Sequence, residues 1–123
     1  MQNICLIIGA GAGIGGNVAK VFANDGYHVY LTRRSDENGL KKLIDQINTA
    51  GGKASGKLLN AVQDNTIEEL VNSVEREIGP ISVVIYNLGA QIGNKKLEDL
   101  TLKQFDLGFK MGTLGIFRLC KTL

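Results

Sequence analysis

A glycine-rich turn near the N-terminus constrains the fold of this chain more than any other stretch. Five glycines fall within the eight positions of Gly9–Gly16, directly after the apolar run Ile4–Ile8. The run is short, continuous and rich in isoleucine, which is typical of a strand buried on both faces. Apolar residues then recur at helical spacing, at Ile14, Val18, Val21 and Phe22. The sequence therefore predicts a strand, a sharp glycine turn and a helix, in that order.

This arrangement is suited to binding a phosphate group. The first N–H groups of a helix have no partner within the helix, and the helix dipole favours negative charge at that end. Glycines let the turn adopt positive φ and let a pyrophosphate approach the backbone closely. In this context the turn indicates dinucleotide binding, with a turn used only for packing as the alternative. The expected cofactor-binding residues in it are Gly9, Ala10, Gly11, Ala12, Gly13, Ile14 and Gly15.

Length and composition narrow the function classes. With 123 residues, 44% hydrophobic and 21% charged, the chain is expected to form a single soluble domain over 1–123. The net charge of +2 is too small to indicate a nucleic-acid or membrane-surface partner, and no apolar run approaches the ~20 residues of a membrane span. Cys5 and Cys120 lack the spacing of metal ligands. The sequence therefore predicts no metal site, two reduced thiols and a cytoplasmic location.

Predicted strands and helices alternate along the rest of the chain. The further strands are His28–Thr32, a weaker one from Lys53 to Asn60, and the continuous apolar run Ile81–Tyr86. Amphipathic helices are expected over 36–50, from Thr66 to the Gly79-Pro80 stop, and from Thr101 to about Lys121. The alternation predicts an α/β fold, with a doubly wound parallel sheet between two layers of helices.

Three helix starts carry capping patterns. Ser35 is the expected N-cap of the helix over 36–50. The pairs Thr66/Glu69 and Thr101/Gln104 have capping-box spacing for the two later helices.

Two arginines, Arg33 and Arg34, follow the second predicted strand. In a dinucleotide-binding unit this place lies near the adenosine ribose, where an acidic residue would select NAD. A forked, permanently charged guanidinium suits a 2′-phosphate instead, and Arg34 is placed to stack on the adenine or add a second contact. The pair favours NADP over NAD, with a solvated basic pair before a helix as the alternative.

The chain resembles the N-terminal half of the short-chain dehydrogenase/reductase family over essentially its whole length. The family motif TGxxxGxG matches the turn, with all three glycines present and Ile8 in place of the threonine. Gly11 stands where many members have a serine that bonds a phosphate oxygen. The resemblance implies a Rossmann-type sheet, incomplete relative to the family, and hydride transfer between NADP(H) and a carbonyl or alcohol.

Two further motifs extend the resemblance. Asp64-Asn65 matches an Asp-Val pair whose aspartate bonds the adenine amino group, and Tyr86–Gly89 matches an Asn-Asn-Ala-Gly motif. The resemblance therefore adds five residues to the expected cofactor site, namely Asp64, Asn65, Asn87, Leu88 and Gly89.

The chain also departs from the family pattern. Alignment places Gly112 where members usually have a catalytic asparagine, and these 123 residues contain no Tyr-x-x-x-Lys, whose tyrosine exchanges a proton with the substrate oxygen. The lone His28 is expected to be a packed or edge side chain, so no catalytic residue is assigned. Two functions stay open: the cofactor-binding half of an NADP-dependent oxidoreductase, or a non-catalytic nucleotide-binding, regulatory or interaction module, which Gly112 favours slightly. FAD binding is disfavoured by Arg33.

The expected strand order 3-2-1-4 leaves Ile81–Tyr86 at an edge of the sheet. An apolar, uncharged edge strand is a liability for a soluble protein, and the family covers this edge with further strands. We therefore expect either a truncated domain, which we favour, or self-association through the sheet edge or the last helix. A small carbonyl or alcohol substrate is expected only in a longer form.

Overall fold

A computed structural model of the chain describes residues 2–88 and 95–123. Within those ranges the strands are β1 (Ile4–Ile8), β2 (His28–Arg33), β3 (Lys53–Leu58) and β4 (Ile81–Tyr86). The helices are α1 (Ile14–Asn24), α2 (Glu37–Thr49), α3 (Thr66–Glu77), α4 (Leu102–Phe109) and α5 (Gly115–Thr122). A 3₁₀ turn covers Leu97–Asp99, and a π-helical segment, Lys110–Leu114, joins α4 to α5.

The four strands form one parallel sheet in the order β3-β2-β1-β4. This confirms the predicted α/β fold, its strand order and the edge position of β4. In the register, Ile8 at the end of β1 stands beside Thr32 on β2 and Tyr86 on β4. The carboxyl ends of the strands therefore meet at one edge, where open α/β sheets bind ligands.

Strand β1 separates two hydrophobic cores. Ile4, Leu6 and Ile8 pack on one face against α3 and against Leu119 of α5. Cys5 and Ile7 face the other way and join the buried residues of α1 and α2. Because successive side chains of a strand point to opposite faces, the continuous apolar run supplies both cores at once. The result is the predicted arrangement of a sheet between two layers of helices.

Helix α1 packs on the sheet through its small residues. Gly15, Gly16, Ala19 and Ala23 are buried, so the helix backbone lies close to its neighbours. Of the larger apolar residues whose spacing predicted the helix, Val18 and Phe22 are partly buried against the same core, whereas Ile14 is 72% exposed and Val21 is 68% exposed.

Two of the three predicted caps are wrong. Helix α2 is capped by Asp36 rather than Ser35, because the Asp36 carboxylate accepts the N–H of Gly39. Helix α3 has Asn65 as its N-cap, with no side-chain cap bond, and the hydroxyl of Thr66 donates instead to the carbonyls of Asn60 and Gln63. The Thr101/Gln104 capping box is confirmed at the start of α4.

The single helix predicted from Thr101 to about Lys121 is interrupted. Its middle five residues, Lys110–Leu114, are π-helical, so α4 and α5 are joined through a bulged turn. Within the described ranges, the helices are too short or too polar to cross a bilayer.

Candidate functional site

A narrow cleft lies at the carboxyl edge of the sheet. Residues from the ends of all four strands reach it, together with one residue of the π segment. Its lining consists of Ile8, Gly9, Thr32, Arg33, Arg34, Leu59, Asn60, Ala61, Val62, Leu88 and Met111. Gly9 is the residue of the glycine turn that lines this cleft, and the residues after β2 and β3 form another wall.

Gly9 is required where the turn meets the end of β4. Its φ of +93° favours glycine, and a Cβ there would collide with the carbonyl of Asn87. Asn87 is held in place from both sides, because its backbone N–H donates to the carbonyl of Ile8 at 2.8 Å and its Nδ2 donates to the carbonyl of Gly9 at 3.2 Å. Asn87 thus anchors the loop after β4 to the turn.

Gly15 is required inside the turn, since a Cβ there would collide with the carbonyl of Gly9. Gly11 and Gly13 differ, because no heavy atom of the described residues lies within 4 Å of a Cβ built at either position. Packing therefore requires glycine on the inner side of the turn and leaves open space on its outer side.

That open space adjoins the N-terminus of α1. Gly13 is the N-cap and provides no side-chain acceptor, so the N–H groups of the first helical turn, Ile14 to Gly16, have no capping partner in the part of the chain that the structure describes. By contrast, the N–H groups of Gly9 and Ala10 both donate to the carbonyl of Thr32, at 3.2 and 2.8 Å. The free donors and the open space fit a phosphate or pyrophosphate.

The two arginines after β2 are in different situations. Arg33 is only 11% exposed, its Nε donates to the carbonyl of Ala10, and its Nη1 donates to Asp36 Oδ2 at 3.1 Å. Arg34 is exposed and lines the cleft. The guanidinium of Arg33 thus already has partners in the protein, whereas that of Arg34 extends into solvent beside the cleft.

Asp64 and Asn65 are not among the residues that line the cleft. The Asp64 side chain is 82% exposed and accepts a hydrogen bond from Nη2 of Arg118, on α5, at 2.8 Å. Asn60 and Ala61 occupy the cleft instead. These two residues were not predicted as site residues, although they follow the end of β3 by two and three positions, at the edge where ligands bind. That position is the signal that identifies them.

Tyr86, at the end of β4, connects the sheet to the π segment. Its hydroxyl donates to the carbonyl of Met111, and a Cβ at Gly115 would collide with that hydroxyl. Burial raises the pKa of the Tyr86 phenol above its usual value. Among residues 2–88 and 95–123, no heavy atom lies within 4 Å of a Cβ built at the neighbouring Gly112.

Other candidate groups lie away from the cleft. His28, at the start of β2, forms a 2.8 Å hydrogen bond with Ser55 Oγ on β3, and burial and then the charge of Lys53 lower its pKa. It is a packed side chain, as predicted, at the opposite end of β2 from the cleft. Residues 2–88 and 95–123 contain no cluster of three histidine, cysteine or acidic residues that could hold a metal. The predicted site residue Gly89 lies outside the described residues.

Comparison with known proteins gives consistent matches. A family model described as short chain dehydrogenase matches residues 3–123. A short-chain dehydrogenase/reductase of Armillaria gallica is 30% identical over 115 residues, 93% of this chain and 44% of that protein. A 2,3-dihydro-2,3-dihydroxybenzoate dehydrogenase of Bacillus subtilis is 25% identical over 120 residues, 98% of this chain and 45% of that protein. The chain thus spans less than half the length of these relatives.

Solved structures match the fold over nearly the whole chain. A variant of actinorhodin polyketide ketoreductase, solved with NADPH, has a TM-score of 0.89 and 27% identity, covering 98% of this chain and 46% of that one. A short-chain dehydrogenase/reductase from Serratia marcescens has a TM-score of 0.92 at 20% identity, covering 98% of this chain and 49% of that one.

Proposed function

Because the chain belongs to the short-chain dehydrogenase/reductase family, we propose that it binds NADP(H) at the carboxyl edge of its sheet. Members of this family are oxidoreductases that bind NAD(P). The observation that carries the proposal is the glycine turn, whose outer side is open at Gly11 and Gly13 beside an uncapped helix N-terminus. That arrangement provides backbone donors and space for a pyrophosphate.

Each wall of the cleft has a proposed role. The turn from Gly9 to Gly15 holds the pyrophosphate, and Asn87, Leu88 and Gly89 close over the middle of the cofactor. Arg34, exposed at the cleft, is the proposed main contact to the 2′-phosphate, with Arg33 beside it. For the adenine we propose Asn60 in place of Asp64, because Asn60 lines the cleft and Asp64 is bonded to Arg118.

The proposed reaction is hydride transfer between the nicotinamide and a carbonyl or alcohol substrate. The cofactor supplies the hydride chemistry when bound, and residues 1–123 act as the cofactor-binding half by orienting the dinucleotide. The proton donor, the ribose-holding lysine and the substrate contacts are proposed to come from residues outside this sequence. Proton transfer by a positioned side chain commonly contributes about 10²–10⁴-fold in rate, so we expect little turnover from these residues alone.

A non-catalytic nucleotide-binding or regulatory module is the second candidate. The observation that favours it is Gly112, which has no side chain to offer although space is open beside it. Both candidates predict nucleotide binding. They differ in whether a longer form of the chain, carrying Tyr-x-x-x-Lys, oxidises or reduces a substrate.

Titration with NADPH and NADH, followed by calorimetry, tests the proposal. We expect both to bind and NADPH to bind more tightly. Replacing Arg34 with alanine is expected to weaken NADPH binding about tenfold, because charge-assisted hydrogen bonds to phosphate are strong, and to change NADH binding by less than about twofold. Arg76→Ala is the matched control, since Arg76 is an exposed arginine on α3 that pairs with the adjacent Glu77.

The possible results separate the parts of the proposal. If neither dinucleotide bound, the cofactor assignment would be wrong. If Arg34→Ala weakened the binding of NADPH and NADH equally, only the proposed contact between Arg34 and the 2′-phosphate would be wrong. If Arg76→Ala weakened NADPH binding as much, the loss would come from the change in net charge rather than from that contact.

Self-association is part of the same proposal. Among the described strands, β4 lies at an edge of the sheet, and Phe105 and Phe109 of α4 and Phe117 of α5 are exposed. Light scattering is expected to give a mass above 13.2 kDa that falls on dilution. Phe117→Glu should restore the monomer if the helices form the contact, whereas an unchanged mass would assign it to β4.

We also propose a cytoplasmic location, because Cys120 is a free, exposed thiol.

A further inference from the structure

A charge pair lies between the end of β2 and the start of α2. Nη1 of Arg33 donates to Asp36 Oδ2 at 3.1 Å, and Nε of the same guanidinium donates to the carbonyl of Ala10 in the glycine turn. The second oxygen of Asp36 accepts the N–H of Gly39 at 3.1 Å and so caps α2. Two of the three guanidinium nitrogens are thus engaged within the protein, one of them by a carboxylate.

Gly39, a glycine in α2, leaves the space that the Arg33–Asp36 ion pair occupies. A Cβ at Gly39 would collide with Oδ2 of Asp36 and Nη1 of Arg33, the two atoms that form the ion pair. Gly39 is the third residue of α2, and glycine is a poorer helix former than alanine, by up to about 1 kcal/mol in a helix interior. Asp36 also adopts a left-handed backbone conformation, with φ at 62°. Two locally unfavourable features therefore accommodate one contact to Arg33.

From this geometry we propose that Asp36 sets the preference of the site between NADP and NAD, by competing with the 2′-phosphate for Arg33. The inference rests on the proposed function and deepens it. A 2′-phosphate carries up to two negative charges and has to share the guanidinium with a carboxylate that repels it. The 2′-hydroxyl of NAD is neutral and requires no such rearrangement. Asp36 therefore weakens NADP binding selectively, and the site discriminates less than two arginines alone would.

Asp36→Asn removes the negative charge of residue 36 but keeps a side chain that can cap α2. Asparagine has nearly the same shape, is an equally good N-cap and tolerates the left-handed conformation, so α2 should keep its start. Suitable probes are adenosine 2′,5′-bisphosphate and 5′-AMP, which differ only in the 2′-phosphate. We expect Asp36→Asn to tighten binding of the bisphosphate about tenfold and to change 5′-AMP binding by less than about twofold.

A second variant disturbs the pair without changing any charge. Gly39→Ala should push Asp36 and Arg33 apart, because its Cβ takes the space where their charged atoms meet. The colliding atoms are the ends of flexible side chains, so the helix should still form. The same selective gain for the bisphosphate is expected, though smaller. Asp106→Asn is the matched control, since Asp106 pairs with Lys110 on the α4–π segment and lies outside the cleft.

A third variant tests the route through Arg33. In an Arg33→Gln background, Asp36→Asn should lose most of its effect on the bisphosphate, because no guanidinium remains for the carboxylate to neutralise. A full tenfold gain in that background would overturn the proposed route.

The outcomes distinguish this inference from the proposed function. If the wild type bound both probes and Asp36→Asn left their affinity ratio unchanged, the inference alone would be overturned. If the wild type bound neither probe, nor NADPH nor NADH, the proposed function would fail and the inference with it. An equal gain from Asp106→Asn would also overturn the inference, because the effect would then follow net charge rather than Arg33.

Discussion

Gly11 is a single position where a side chain could improve the site. It faces open space beside the N-terminus of α1, and its φ is not in the positive range. Gly11→Ser should therefore leave the melting temperature within about 2 °C of the wild type. If a cofactor phosphate lies against this turn, the added hydroxyl should bond it and tighten NADPH binding by about three- to tenfold. Thermal unfolding and calorimetric titration measure the two effects separately.

Gly15→Ser is the matched control for this change. It adds the same side chain in the same turn, but its Cβ would collide with the carbonyl of Gly9. We expect it to lower the free energy of unfolding by about 2–4 kcal/mol, since the backbone has to move. If Gly11→Ser destabilised the protein as much as Gly15→Ser, the outer side of the turn would not be open. If it weakened NADPH binding, the phosphate would not lie where we place it.

One hydrogen bond between β4 and the π segment is expected to stabilise the packing of these two elements. The Tyr86 hydroxyl donates to the carbonyl of Met111 across that junction. Tyr86→Phe removes this half-buried hydrogen bond, so the free energy of unfolding should fall by about 1 kcal/mol. Urea denaturation provides the measurement.

Tyr27→Phe is the comparison for that change. The Tyr27 ring packs edge-on against Phe22, with centroids 5.1 Å apart, and its hydroxyl makes no hydrogen bond to the part of the chain that the structure describes. Its removal should change the stability by less than about 0.5 kcal/mol. Equal effects of the two substitutions would contradict a specific role for the Tyr86 bond.

The sequence predicted which helices and strands exist and in what order. It predicted less accurately where the helices start and which of their faces are buried. Periodicity identified α1, yet it could not reveal that Gly15 and Ala19 face the sheet, because close packing selects small residues there.

Asp36 rather than Ser35 caps α2 because its carboxylate serves Arg33 as well as Gly39. The π segment was not predicted from the local sequence, and its contact with the Tyr86 hydroxyl comes from a strand that is distant in sequence. Asn60 was missed because the third strand was predicted to run to Asn60, two residues beyond its end at Leu58.

For the molecule as a whole, the central strand makes the stability depend on pH in alkaline solution. Cys5 is completely buried between β2 and β4, and this burial raises the pKa of its thiol from 9.0 to about 11. The folded state therefore keeps a proton that the unfolded state has lost between those pH values. Stability should be complete below about pH 9 and fall as the pH rises toward 11. Burial also raises the pKa values of Tyr30 and Tyr86 above 10.0, which adds to the fall at higher pH.

The Cys5 contribution to this fall should reach about 3 kcal/mol, since each of its two pKa units corresponds to about 1.4 kcal/mol. Urea denaturation at a series of pH values from 7 to about 11 measures it. Cys5→Ala should lower the stability at neutral pH, through the cavity it leaves, but flatten the decline above about pH 9. Cys120→Ala, at an exposed thiol, should leave the decline as in the wild type. If the Cys5→Ala and wild-type curves ran parallel, the buried thiol would not be the source of the alkaline loss.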